Sequence, residues 1–337
     1  KAAASCLVWY VAIPMGGRAS TTDSEDTSAR LEKEPRWKTA APWLGAIAVI
    51  TYLFSEIPVD EVLAAAGEAR LAWFVPGILF AVFFWFLLDS LAFSYLITQF
   101  NQPLSWPEAR AMRGVTYLLA AINWNVGTAG IIFYLRRFKA IPALESTSSI
   151  FFYSVFDLLV LLSFALAGAW SLESTSELGD AGRTTAGLLF FTGASLALLR
   201  SDRPDWGWMQ RVRAWPVFRS HRLATPQDFA VLLAIRAGYF SCFVAAFYFG
   251  AKAFGVDVSL TLAIASTPLI LLAGALPITP GGLGTQAAAM LYLWGDMGDQ
   301  AAILALGLIL PIVLTGARVV LGLPYLAEFR RLNRDLA

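Results

Sequence analysis

The chain has 337 residues, of which 58% are hydrophobic and 15% charged, with a mean hydropathy of +0.62; soluble domains carry about 25% charged residues, so a soluble enzyme is excluded. The 25 Lys and Arg against 24 Asp and Glu leave no basic excess of the kind a nucleic-acid binder needs. One histidine, His221, and two distant cysteines, Cys6 and Cys242, give no metal-ligand spacing, disulfide framework or Ser-His-Asp triad, and no cofactor or metal is expected.

Along the chain, residues 1–38 read as a segment apart from the fold: a short signal-like apolar run follows Lys1, and the polar, patternless stretch 16–38 reads as a disordered linker. Residues 39–337 read as one integral membrane domain. Apolar runs near the roughly 20 residues that a hydrocarbon core demands of a helix occur at 39–57, 71–97, 150–170, 184–199, 229–254 and 301–324. Two further apolar regions, 114–135 and 260–294, are each interrupted by a glycine-rich break.

Charge placement sets the topology, because short loops rich in Lys and Arg resist translocation. Arg36 and Lys38 put the amino end of the first span in the cytoplasm, and Asp60, Glu61 and Glu68 put the next loop outside. If 114–135 crossed, Arg136, Arg137, Lys139 and the later loop holding Arg200, Arg203, Arg211, Arg213, Arg219 and Arg222 would all lie outside. The conflict disappears if 114–135 enters from the cytoplasm, turns at Asn123-Trp124-Asn125-Val126-Gly127 and returns, with arms of about ten residues or roughly 15 Å. The break in 260–294 then enters from outside, and both termini of the membrane domain are cytoplasmic. The expected fold is an all-α membrane bundle of six spans with two opposed re-entrant hairpins.

The two breaks superpose as an internal repeat. Asn123 to Gly130 aligns with Pro277 to Gly284, both ending Gly-x-x-Gly, and the opposed entry sides are those of an inverted-topology repeat in a transporter. The stretch Ala275-Leu276-Pro277-Ile278-Thr279-Pro280-Gly281-Gly282-Leu283-Gly284-Thr285-Gln286-Ala287, followed by a last span ending Ala317-Arg318-Val319-Val320-Leu321-Gly322, resembles the lysylphosphatidylglycerol synthase/flippase transmembrane-domain family. The order of segments agrees from about Thr39 onward. Two departures stand out: Gln286 occupies a place where the family often has an acidic residue, and Asn123-Trp124-Asn125 replaces a Pro-containing turn. The resemblance implies transport or flipping of a polar, anionic membrane lipid in the cell inner membrane. Members that synthesise aminoacyl lipids carry a soluble domain after the membrane part, whereas this sequence ends at Ala337, so synthase activity is not expected. The alternative is a non-catalytic membrane subunit for a lipid-linked synthase or glycosyltransferase.

Several residues carry the candidate chemistry. Pro277, Pro280, Gly281, Gly282 and Gly284 supply a turn that no regular helix allows, and a helix starting near Leu283 aims its free N–H groups at a lipid phosphate; tight helix packing is the competing explanation. Charges inside spans are costly, which singles out Asp89, Asp157, Arg236 and Arg318. These form either a structural ion pair of Asp157 with Arg236 or Arg318, or a headgroup site in which the arginines take phosphate; snorkelling could also account for the two arginines. Asn123 and Asn125 either bind a headgroup or satisfy the broken backbone. The loop 204–223, with Trp208, Val212 and Trp215 at helical spacing among its arginines, reads as an interfacial helix on an anionic leaflet. Trp73, Trp106, Trp170 and Trp294 read as an aromatic belt, and Cys242 as a small packing residue.

Overall fold

A computed structural model describes residues 47, 49–122, 124–171, 176–201, 206–275 and 282–335, and all regular structure among them is helical. Residues 49–56 are helical. They lead to α1 (Val59–Gly67), α2 (Leu71–Phe100), α3 (Trp106–Ile122), α4 (Trp124–Lys139), α5 (Ala143–Ser171) and α6 (Ser176–Arg200). The short helices α7 (Gly207–Arg213) and α8 (Arg219–Leu223) precede α9 (Pro226–Ala253), α10 (Leu260–Ala275), α11 (Leu283–Trp294) and α12 (Gln300–Asp335).

Among the described residues four helices are long and apolar enough to cross a bilayer: Leu71–Phe100, Ala143–Gly168, Pro226–Ala253 and Gln300–Ala327. Of the other two expected spans, 184–199 corresponds to the shorter apolar helix Thr184–Arg200, and of 39–57 residues 39–46 and 48 lie outside the described residues. Hydropathy alone places helix starts too late. Helix α5 begins seven positions before Ile150 because its polar first turns bond locally, as Thr147 Oγ1 does to the Ala143 carbonyl at 2.8 Å, or to neighbours, as Ser149 Oγ does to Asn101 Oδ1 at 2.7 Å. Helix α12 continues through Pro311 and Pro324 to Asp335. At α9, Thr225 and Asp228 form a reciprocal capping box with Pro226 in the first turn, so the helix start is fixed locally.

Packed helix pairs flank both expected breaks, whose positions 123 and 276–281 lie outside the described residues, and the first pair differs in detail from the expectation. Helices α3 and α4 are separated by position 123 alone, and Asn125 and Gly127 belong to the first turns of α4 rather than to an open turn. The arms have 17 and 16 residues, about 25 Å each, because the helices run on through Arg110 and Arg113 on one side and Arg136 to Lys139 on the other. They lie antiparallel: a Cβ added at Gly127 would stand 2.6 Å from Ala120 Cβ, so glycine sets that close approach. In the second hairpin α11 starts at Leu283, as expected, from Gly282 with φ +70°. A Cβ on Gly282 would overlap the Gly274 carbonyl oxygen, and one on Gly274 would overlap the Gln286 amide. Gln286 thus closes the two arms together.

The helices pack in a regular exchange. Helix α2 lies antiparallel along α9, with Gly77 against Phe249 and Gly238 against Leu88. Helix α3 packs on α12, and α10 packs on α5; α4 packs on α5, and α11 on α12. Two apolar clusters fill the interior. One holds Phe86 of α2, Tyr117 of α3, Val160 of α5 and Tyr239 of α9 at its edge; the other holds Ala92, Met112, Phe156 and Leu232 of the same four helices. The gap between them on each helix is where the charged residues stand.

Candidate functional site

That gap is a polar layer crossing four helices, built from Asp89, Arg113, Asp157 and Arg236. Asp89 is fully buried, and Arg113 and Arg236 are 5% and 1% exposed. Arg113 donates from Nε to Asp89 Oδ2 at 2.7 Å, with Nη2 2.5 Å from the same oxygen, and the Tyr117 hydroxyl donates there at 2.6 Å. The Tyr153 hydroxyl donates to Asp89 Oδ1, which also takes Arg236 Nη1 at 3.2 Å. Arg236 Nε donates to Asp157 Oδ1 at 2.5 Å.

Aromatic faces complete the coordination. The Arg236 guanidinium lies 3.7 Å from the Tyr239 ring centroid and 4.3 Å from that of Tyr153, and the Arg113 guanidinium lies 4.6 Å from Phe93 and 4.8 Å from Tyr117. Each buried ion costs several kcal/mol to desolvate, and two cations against two anions, with both oxygens of Asp89 and one of Asp157 accepting, is the arrangement that offsets it. An unpaired charge at this depth would be far more expensive. A single apolar core with the layer deleted would be simpler, so the layer marks a place where the fold carries charge for a reason beyond packing.

Beside the layer opens a small cleft of about 20 Å³ between α2, the α3–α4 hairpin and α5. Arg113 and Tyr153 form its charged wall, Gly127 and Thr128 its hairpin side, and Ser154 its rim on α5. The cleft therefore joins the first hairpin to the ion network.

Sequence reasoning located part of this. Asp157 and Arg236 do pair, and Asp89 joins them. Arg318 does not: it is partly exposed, with its guanidinium 5.0 Å from the Trp85 ring centroid, and among the described residues no carboxylate lies within ion-pair distance of it. Snorkelling fails for Arg236, which is sealed in the interior, and Arg318 is not near a helix end, because α12 continues to Asp335. Asn125 sits exposed in the first turn of α4, whereas Asn123, Pro277, Pro280 and Gly281 lie outside the described residues. Gly282 holds the positive-φ cap of α11, and Gly284 is buried in its first turn. Trp294 does not belong to an aromatic belt, since it is fully buried and donates from Nε1 to Ser266 Oγ at 2.9 Å. Trp206, Trp208 and Trp215, by contrast, are about half exposed beside the arginines of α7 and α8.

Arg113, Tyr117, Tyr153 and Tyr239 were missed. Arg113 stands at the margin of its apolar run, where a basic residue is ordinary. The signal available was spacing: Tyr117 follows Arg113 by one turn, Tyr153 precedes Asp157 by one turn, and Tyr239 follows Arg236 by three residues, so three helices each present a charge and a tyrosine on one face.

Four bilayer-length apolar helices among the described residues, packed with a largely buried ion network, define a multi-pass integral membrane protein. Residues 40–322 match the lysylphosphatidylglycerol synthase TM region, and the chain belongs to that family. A search of curated proteins finds no match.

Proposed function

We propose that the protein moves a lipid with an anionic headgroup between the leaflets of the cell inner membrane, the headgroup passing through the cleft between the first hairpin and the polar layer. The cleft carries this reading: it sets a guanidinium, two hydroxyls and a tight glycine approach against one another at a depth where only a ligand or a structural partner makes a charge tolerable. Arg113 faces the cleft with a planar, permanently charged fork suited to phosphate.

We read an internal repeat in support of it. A shift of 154 positions, the separation of Asn123 and Pro277, moves α2 onto 225–254, α3 onto 260–276 and α5 onto 297–325, the places of α9, α10 and the first part of α12. The packing partners exchange under the same shift, α3 on α12 becoming α10 on α5. With both hairpins re-entering from opposite sides, the arginine-rich α7 and α8 and their exposed indoles fall at the cytoplasmic leaflet, where basic and aromatic residues are favoured.

The test is reconstitution in vesicles with fluorescent phosphatidylglycerol and a membrane-impermeant quencher. Wild-type protein should expose inner-leaflet label several-fold faster than empty vesicles, and Arg113→Gln and Arg318→Ala should slow it. Rates equal to empty vesicles for all three would end the proposal.

A further inference from the structure

The two carboxylates of the polar layer are engaged unequally. Asp89 has both oxygens occupied, by Arg113 and Tyr117 on one and by Tyr153 and Arg236 on the other. Asp157 receives a bond from Arg236 Nε on Oδ1, no described residue donates to its Oδ2, and its side chain is 23% exposed. One turn before it, exposed Ser154 lines the cleft. Asp89 is thus a locked anion, and Asp157 is the carboxylate with an oxygen open to a proton.

The charge count gives that difference a consequence. The groups around Asp157 are Asp89 from α2, Arg113 from α3, Tyr153 on its own helix, and Arg236 and Tyr239 from α9. The two guanidiniums of the layer exactly match its two carboxylates while Asp157 is ionised. Placing a proton on Asp157 Oδ2 removes the ionic partner of Arg236 Nε. Asp89, already shared with Arg113, cannot supply a second negative charge. The layer then carries one positive charge in excess, beside a cleft lined by buried Arg113. An anion entering that cleft restores neutrality, and loss of the anion favours return of Asp157 to its ionised, Arg236-bound form. Buried charges persist only when paired.

We propose that Asp157 is a proton-binding site and that a proton and one anionic headgroup bind together, so that lipid movement is proton-coupled symport. This rests on the lipid-transport reading and adds its energy source. The exchange balances: one proton from solution adds to Asp157, one monoanionic headgroup enters, and the loaded layer is as neutral as the empty one. Reciprocity follows, since a ligand that favours the protonated layer must itself bind more tightly as protons become more abundant. Transport of a monoanionic lipid is then electroneutral.

The experiment uses the full chain in vesicles containing fluorescent phosphatidylglycerol, with a pH gradient imposed in either direction. For one proton per lipid, each pH unit shifts the leaflet ratio of label by about tenfold toward the alkaline side, and a membrane potential alone shifts it not at all. Asp157→Asn should lose the response to the gradient whatever its absolute rate, and Asp157→Glu should keep it. Label movement that ignores the gradient overturns the coupling while leaving lipid transport standing. In parallel, infrared difference spectra of the purified protein should contain a protonated-carboxyl band that titrates with pH, grows when glycerol phosphate is added, and is missing in Asp157→Asn. If no label moves in any vesicle, the transport reading falls, and this band alone then upholds the proton site by its presence or overturns it by its absence.

Discussion

Replacing Asp89 with Asn tests whether the polar layer is a balanced network or a set of independent contacts. The substitution keeps the shape and removes one charge. The new amide must point its N–H groups at one of two occupied sides. Facing Oδ2's partners it meets Arg113 Nε and Nη2 and the Tyr117 hydroxyl; facing Oδ1's partners it meets the Tyr153 hydroxyl, which can rotate to accept, and Arg236 Nη1. The second orientation is cheaper, and it leaves Arg236 held by Asp157 while Arg113 keeps hydrogen bonds to a neutral carbonyl oxygen. Removing one partner of a buried ion pair costs about 3–5 kcal/mol, a large share of a typical folding free energy of about 5–15 kcal/mol. Asp157→Asn also removes a charged partner of buried Arg236, but Asp89 remains as the second carboxylate of Arg236 and Asp157 is itself partly exposed, so the loss is smaller than at Asp89, which serves both guanidiniums. Unfolding in mixed detergent, followed by tryptophan fluorescence, should therefore rank Asp89→Asn well below Asp157→Asn. Because the double change Asp89→Asn/Arg113→Gln removes both members of a pair, it should cost less than the two single losses added together. Equal losses for the two aspartates, or a strictly additive double mutant, would refute the network argument.

Two further outcomes follow from other parts of the structure. Gly282→Ala should prevent recovery of folded protein on size-exclusion chromatography, because a Cβ there overlaps the Gly274 carbonyl and the backbone has positive φ; Gly193→Ala, in open space on α6, should be neutral or stabilising by up to about 1 kcal/mol. His221 is buried, its Nε2 donates to the Leu196 carbonyl at 2.9 Å, and Nδ1 has no partner among the described residues. Burial, followed by the nearby Arg200 and Arg222, holds its pKa below the usual 6.5. The folded state thus resists protonation, so stability is full above pH 6.5 and falls as pH drops below it. His221→Phe should flatten that acid limb in thermal unfolding scans, and an unchanged limb would remove His221 as its cause.

Much of the architecture was legible because a bilayer imposes a length and a polarity that composition must obey. The apolar runs, the breaks near 123 and 277, the start of α11 at Leu283 and the intramembrane charges Asp89, Asp157 and Arg236 are all one-dimensional signals. Local chemistry blurred the boundaries: the serines and threonines of early α5 lower hydropathy while their hydroxyls bond within the helix or to neighbours, and Pro311 and Pro324 do not end α12. Arg113 was illegible for a different reason. On its own helix it is an ordinary basic residue at the edge of an apolar stretch, and nothing in sequence distance links it to Asp89, 24 positions earlier.

The amino-acid sequence by itself determined that this chain lives in a membrane, which stretches are helical, and which residues are too costly there to be idle, because burial in hydrocarbon penalises each polar group one at a time. Only the tertiary structure decided which charges pair: that Arg236 and not Arg318 holds Asp157, that Arg113, Arg236 and two tyrosines close around Asp89, and that the layer borders a cleft at the first hairpin. Pairing is a property of helices brought side by side, and the order of residues along one chain does not contain it.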